Sequence, residues 1–97
     1  MNLTRIKAVT KLFSGKIYDN IVVMLRSHGK LSAKECAYLF DKGGYYDGGQ
    51  YTYTHRAFHF MWKMGVITLC DGIDQVHLRY TMNEREYSRL QKILESI

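Results

Sequence analysis

The sequence predicts a mainly α-helical fold with one small β-hairpin, an α+β arrangement. Three observations predict it. Apolar residues recur at three- to four-residue spacing in five stretches, each bounded by glycine or a capping residue. Alternation of period two is confined to residues 67–70 and 76–81, with Asp71-Gly72 between them as a hairpin signal. Ninety-seven residues with 46% hydrophobic content suit a single domain, 1–97, with one core.

The first element covers residues 1–15, a basic N-terminal helix ahead of a core spanning 16–97. Leu3, Ile6, Val9 and Phe13 form its apolar face, and Gly15 suits the position after its end. In KIYDNIVVMLRSHGK, the residues Ile17, Ile21, Met24, Leu25 and His28 share a stripe that Gly29 closes. Lys30 and Leu31 form a short extended link. Ser32-Ala33-Lys34-Glu35 is a capping box, in which the serine accepts from the amide three residues on and the glutamate reaches back. The helix it opens buries Cys36, Leu39 and Phe40 and stops at Gly43-Gly44.

Residues 43–50, GGYYDGGQ, read as a loop around Tyr45 and Tyr46. Thr52 or Thr54 can cap the next helix. That helix turns Thr54, Ala57, Phe58 and Met61 to one side, with Trp62 at the margin. Its other side carries Thr52, Arg56, His59 and Lys63, edged by Tyr53 and Phe60. Gly65 ends it. The hairpin follows, with Ile73 and Asp74 available to widen its turn. Asn83 then caps a closing helix over 84–96, with Glu86 at the capping-box position. Tyr87, Leu90, Ile93 and Leu94 form its stripe, and Ile97 extends it.

The net charge of +5 is uneven. Residues 1–16 hold Arg5, Lys7, Lys11 and Lys16 and no acid, whereas 17–49 and 83–97 are neutral and 50–82 contribute one positive charge. Such a basic segment is an electrostatic footprint for phosphate or an anionic surface.

Several classes are disfavoured. There is no apolar run near the length of a membrane span, and Arg5, Lys7 and Lys11 interrupt any signal-peptide core. A cytoplasmic setting is expected (the host cytoplasm for a viral protein), with Cys36 and Cys70 as buried free thiols. His55 and His59 have the i, i+4 spacing of a helical metal pair, but Arg56 stands where the zinc-protease motif has glutamate and no third ligand is near in sequence. Neither a phosphate-binding glycine motif nor a catalytic triad or paired-carboxylate spacing stands out. No enzyme activity, cofactor or metal is expected.

From Ile17 onward the order of elements resembles the winged helix-turn-helix superfamily of bacterial, archaeal and viral transcriptional regulators. Three patterns carry the resemblance. KLSAKECAYLF is similar to the opening of the helix-turn-helix, FHFMWKMGVI to the end of a recognition helix, and LRYTMNEREYSRL to the last wing strand running into a closing helix. Two departures are visible. The loop before the presumed recognition helix is about eight residues, against three to four in a tight helix-turn-helix. The wing tip is acidic, with Asp71 and Asp74, which phosphates repel.

The resemblance implies sequence-specific binding of double-stranded DNA in transcription regulation. A recognition helix over about 52–64 would lie in the major groove, with its N-terminal half toward base edges. That puts Tyr51, Thr52, Tyr53, His55, Arg56 and His59 in line for the groove. Arg56 is the leading candidate because its planar fork matches guanine or phosphate. Lys63 suits phosphate, and Arg5, Lys7, Lys11, Lys16 and Arg79 suit salt-sensitive backbone contacts. A homodimer joined through the N-terminal helix and residues 84–96 would match a palindromic site. Two alternatives stand beside this reading. One is a viral or plasmid factor whose winged helix docks on a host protein, favoured by the acidic wing and the tyrosine-glycine loop. The other is single-strand or RNA binding through the tyrosines.

Overall fold

A computed structural model describes residues 2–42, 51–72 and 77–97. Its order is α1 (Leu3–Ser14), α2 (Lys16–His28), β1 (Leu31–Ser32), α3 (Ala33–Lys42), α4 (Tyr51–Met64), β2 (Ile67–Asp71), β3 (Arg79–Met82) and α5 (Glu84–Glu95). The strands form one antiparallel sheet in the order β1-β3-β2. The chain is therefore mainly helical with a small three-stranded sheet. The expected loop at 43–50, with the Gly43-Gly44 stop and Tyr45 and Tyr46, lies outside the described residues, as do Ile73, Asp74 and Val76.

The helices begin where local chemistry satisfies their free amides. Asn2 Oδ1 accepts from the Arg5 amide at 2.8 Å. The capping box forms as expected, with Ser32 Oγ accepting from the Glu35 amide at 3.0 Å and Glu35 Oε1 accepting from the Ser32 amide at 2.9 Å. Asn83 Oδ1 caps α5 by accepting from the Glu86 amide at 3.3 Å. Helix α4 starts earlier than expected, at Tyr51, so Thr52 and Thr54 are helical residues and not its cap.

Gly15 and Gly65 end their helices for different reasons. Gly65 has φ 82°, where a side chain would crowd the backbone, and it turns the chain from α4 into β2. Gly15 has an ordinary φ of −83°. What it needs is space, because a Cβ there would lie 2.6 Å from the Tyr18 ring. The missing side chain lets Tyr18 tuck beneath the α1–α2 corner.

One core joins all five helices and the sheet, from Val9 in α1 through Phe40, Phe58, Met61 and Ile67 to Leu90 in α5. Completely burying a side chain such as Phe58 or Met61 stabilises the fold by roughly 1.5–3 kcal/mol. In α2 the buried stripe is rotated from the expected one. Tyr18 and Val22 are buried, Met24 is at the margin, and His28, on the last turn, is exposed.

The hairpin differs from expectation in three ways. Asp71-Gly72 is not a two-residue turn, since Asp71 pairs with Arg79 across a bulge that follows Leu69. His77 and Leu78 precede the second strand and are not part of it. A third strand, β1, forms from the link expected to be merely extended; Leu31 pairs with Tyr80 and Ser32 with Arg79. Strand β2 lies at the sheet edge and is exposed on both faces beyond Ile67. Cys70 is consequently exposed, contrary to the buried thiol expected, while Cys36 is buried. Leu69 is also exposed.

Candidate nucleic-acid interface

The amphipathic pattern of α4 decides which of its side chains can meet a partner. Thr54, Ala57, Phe58, Met61 and Met64 are buried, and this fixes the rotation of the helix on the core. Thr52, Tyr53, His55, Arg56, His59 and Lys63 are exposed, and Tyr51 is half-buried. Trp62, expected at the margin, is 46% exposed. Its ring lies 5.8 Å from that of His59, while Tyr51 lies 5.8 Å from His55. The sequence signal for Trp62 was its position three residues after His59, on the same outward row.

Helix α1 adds a cation beside this face. Lys11, Ile17, Tyr18, Tyr53, Arg56, Ala57 and Phe60 line one cleft of about 270 Å3. The path to this arrangement begins at Gly15. Tyr18, tucked under the corner, packs against Phe60 with ring centroids 5.1 Å apart. The Lys11 ammonium sits 4.6 Å from the centroid of that same Phe60 ring, a cation–π contact. A cation from α1 and the arginine of α4 thus border one concavity, with the Tyr53 phenol at its rim.

The remaining bases divide into paired and unpaired. Arg26 binds Glu84 through two bonds of 2.9 and 2.8 Å. Lys30 pairs with Asp71. Arg89 binds Glu86 through two bonds of 2.7 Å. Arg79 holds Glu35 with two bonds of 3.0 and 3.1 Å. Arg5 lies 3.8 Å from both Met64 Sδ and Glu86 Oε2. By contrast Lys7, Lys11, Lys16, Arg56 and Lys63 make no ion pair among the described residues. A base without an ion pair can exchange a condensed counterion for a phosphate without giving up a carboxylate, whereas a paired one must first release its partner.

Of the expected site residues, then, Lys11, Tyr53 and Arg56 share a cleft. Thr52, His55, His59 and Lys63 share the exposed side of the same helix. Lys7 and Lys16 are exposed on α1 and at the start of α2. Arg5 and Arg79 are engaged within the fold. Asp71, expected at an acidic wing tip, is paired with Lys30, so its repulsion of phosphate is reduced. Asp74 lies outside the described residues.

The guanidiniums beside them hold the Glu35, Glu84 and Glu86 carboxyls below their usual range, and for Glu35 the Ser32 amide adds to the effect. Burial pushes the Cys36 thiol up to about 12. Among the described residues no three His, Cys, Asp or Glu side chains are grouped to hold a metal ion, and no helix is long and apolar enough to cross a membrane.

No protein-family model matches this chain, and a search of curated proteins gives no match.

Proposed function

We propose that the chain is a winged-helix regulator that binds double-stranded DNA sequence-specifically, with α4 as the recognition helix in the major groove. The single observation that carries this reading is the α1–α4 cleft, where Lys11 and Arg56 stand together without acid partners beside the Tyr53 phenol. The element order supports it, since two helices, a short strand, two further helices and a strand pair joined to that first strand follow the order expected of a winged helix. In this reading Arg56 reads a base or clamps a phosphate. Thr52, His55 and His59 face base edges, and Lys7, Lys11, Lys16 and Lys63 follow the backbone. A homodimer through α1 and α5 would align two such helices on a palindrome.

Selection from a pool of random duplexes on immobilised protein tests this. The reading expects enrichment of one motif, with two half-sites about one helical turn apart for a dimer. A pool that stays unenriched after repeated rounds contradicts it.

One observation favours a second reading, docking on a protein. Among the described residues of the β2–β3 pair, Arg79 and Asp71 are both held in ion pairs while Leu69 on the edge strand is 51% exposed, so apolar surface is on offer there beside charges already engaged. Recovery of one stoichiometric protein partner, together with no duplex affinity at low salt, would select that reading.

A further inference from the structure

The larger of the two clefts described lies away from the α1–α4 interface. It is an open groove of about 460 Å3 lined by His28 at the end of α2, Leu31 of β1, His77 ahead of β3, and Lys34, Glu35, Tyr38 and Leu39 of α3. We infer that this groove binds a small organic monoanion, with an apolar body about the size of one ring and a single carboxylate.

Size, lining and charge each contribute. The volume falls within the usual range for small-molecule sites, about 300–1,000 Å3. Leu31 is buried, Leu39 is half-buried and Tyr38 is exposed, so the groove offers apolar surface to a compact hydrophobic body. The rim is polar, and its charges do not cancel. Among its described lining residues Glu35 is the only carboxylate, and both of its oxygens already accept hydrogen bonds: Oε1 from Arg79 Nε and the Ser32 amide, and Oε2 from Arg79 Nη2. Lys34 makes no ion pair among the described residues. An anion in the groove therefore meets an uncompensated ammonium, whereas a cation finds, among the described lining residues, only a carboxylate already held by Arg79. The flexible lysine stem can lie along the apolar body while its head meets the charge. None of the lining residues belongs to the α1–α4 cleft, so this inference stands whether or not the chain binds DNA.

The test is an amide NMR titration of the whole chain with three ligands of one shape: benzoate, benzyl alcohol and benzylamine. The expected result is saturable benzoate shifts centred on Leu31, Lys34 and Leu39. Benzyl alcohol should bind about tenfold more weakly, the equivalent of 1.4 kcal/mol. Benzylamine should bind more weakly still. In Lys34→Glu, an exposed substitution whose amide spectrum also reports on folding, the order of benzoate and benzylamine should invert. The inference is overturned if benzoate gives no saturable shift in the groove, if it binds no better than benzylamine to the wild-type chain, or if folded Lys34→Glu keeps the wild-type preference.

Discussion

Arg79 of β3 grips Glu35 of α3 through two parallel hydrogen bonds of 3.0 and 3.1 Å, while the same carboxylate caps its own helix by accepting from the Ser32 amide. One side chain thus closes the α3 capping box and ties the sheet to the helix. The two functions differ in weight. Both side chains are more than a third exposed, so water screens the ion pair. Glu35→Ala should therefore lower stability by about 0.5–1 kcal/mol, mostly through the cap. Arg79→Ala should cost less than Glu35→Ala in the same urea titration.

Acid should weaken the fold by the same contacts. Glu35, Glu84 and Glu86 are each held below the ordinary carboxyl value of 4.5. A depressed folded-state value means that the unfolded chain binds protons first as pH falls. The stabilisation is complete above about pH 5, begins to fade near 4.5 and is lost as pH passes through the folded values. Urea midpoints should fall between about pH 6 and pH 3. In Glu35→Gln the fall should be smaller. An equal fall in wild type and variant would remove Glu35 from the account.

Thr54 is fully buried in α4, and its hydroxyl has no hydrogen-bond partner among the described residues. Thr54→Val keeps the shape and removes a desolvated hydroxyl, so it should raise stability by about 1 kcal/mol. Thermal melting checks this. A drop of similar size would show that the hydroxyl is bonded in solution.

The two helix-ending glycines should fail differently. Gly65→Ala places a Cβ at φ 82°, at an unstrained 3.5 Å from Glu86 Cγ, so it should cost about 1–2 kcal/mol from backbone strain alone. Gly15→Ala drives a Cβ into the buried Tyr18 ring and should cost about 1–3 kcal/mol by overpacking. Tyr18→Ala in that background opens room for the Cβ, so the two losses should be less than additive. Strict additivity in chemical denaturation would argue against the close approach at the α1–α2 corner.

The thiols should be separable by alkylation. Cys70 is exposed, while Cys36 is buried with its thiol pushed up to about 12. Iodoacetamide at neutral pH should label the folded chain at Cys70 alone, and both cysteines in denaturant. Mass spectrometry of the labelled peptides reads this directly, and rapid native labelling of Cys36 would contradict the packing of α3.

Much of this architecture was legible because it is local. The capping box at Ser32 and Glu35 and the division of α4 into buried and exposed sides depend on residues three or four apart, and both follow the sequence. What escaped depends on partners far away in the chain. Arg79 reads as a free cation until Glu35, 44 residues distant, is brought to it. Asp71 reads as a repulsive wing tip until Lys30 reaches it. The Asp71-Gly72 signal suggests a tight turn, but Asp71 pairs with Arg79 across a bulge, and β3 pairs with the distant β1 as well as with β2. Cys70 reads as buried because its neighbours are apolar, yet beyond Ile67 the edge strand is exposed on both faces. The convergence of Lys11 with Arg56 was likewise not readable from spacing, since it depends on how α1 turns at Gly15.

Whether the unpaired bases of α1 and α4 bind duplex DNA, as proposed, is read by fluorescence anisotropy of a labelled duplex carrying the selected motif, across a salt series. Arg56→Ala should weaken binding by about 1–3 kcal/mol, and Lys11→Ala should lower the slope of log affinity against log salt by about one. Arg79→Ala, whose charge is already engaged by Glu35, should change affinity least. Absence of duplex binding at low salt, or wild-type affinity and salt slope in both Arg56→Ala and Lys11→Ala, would contradict it.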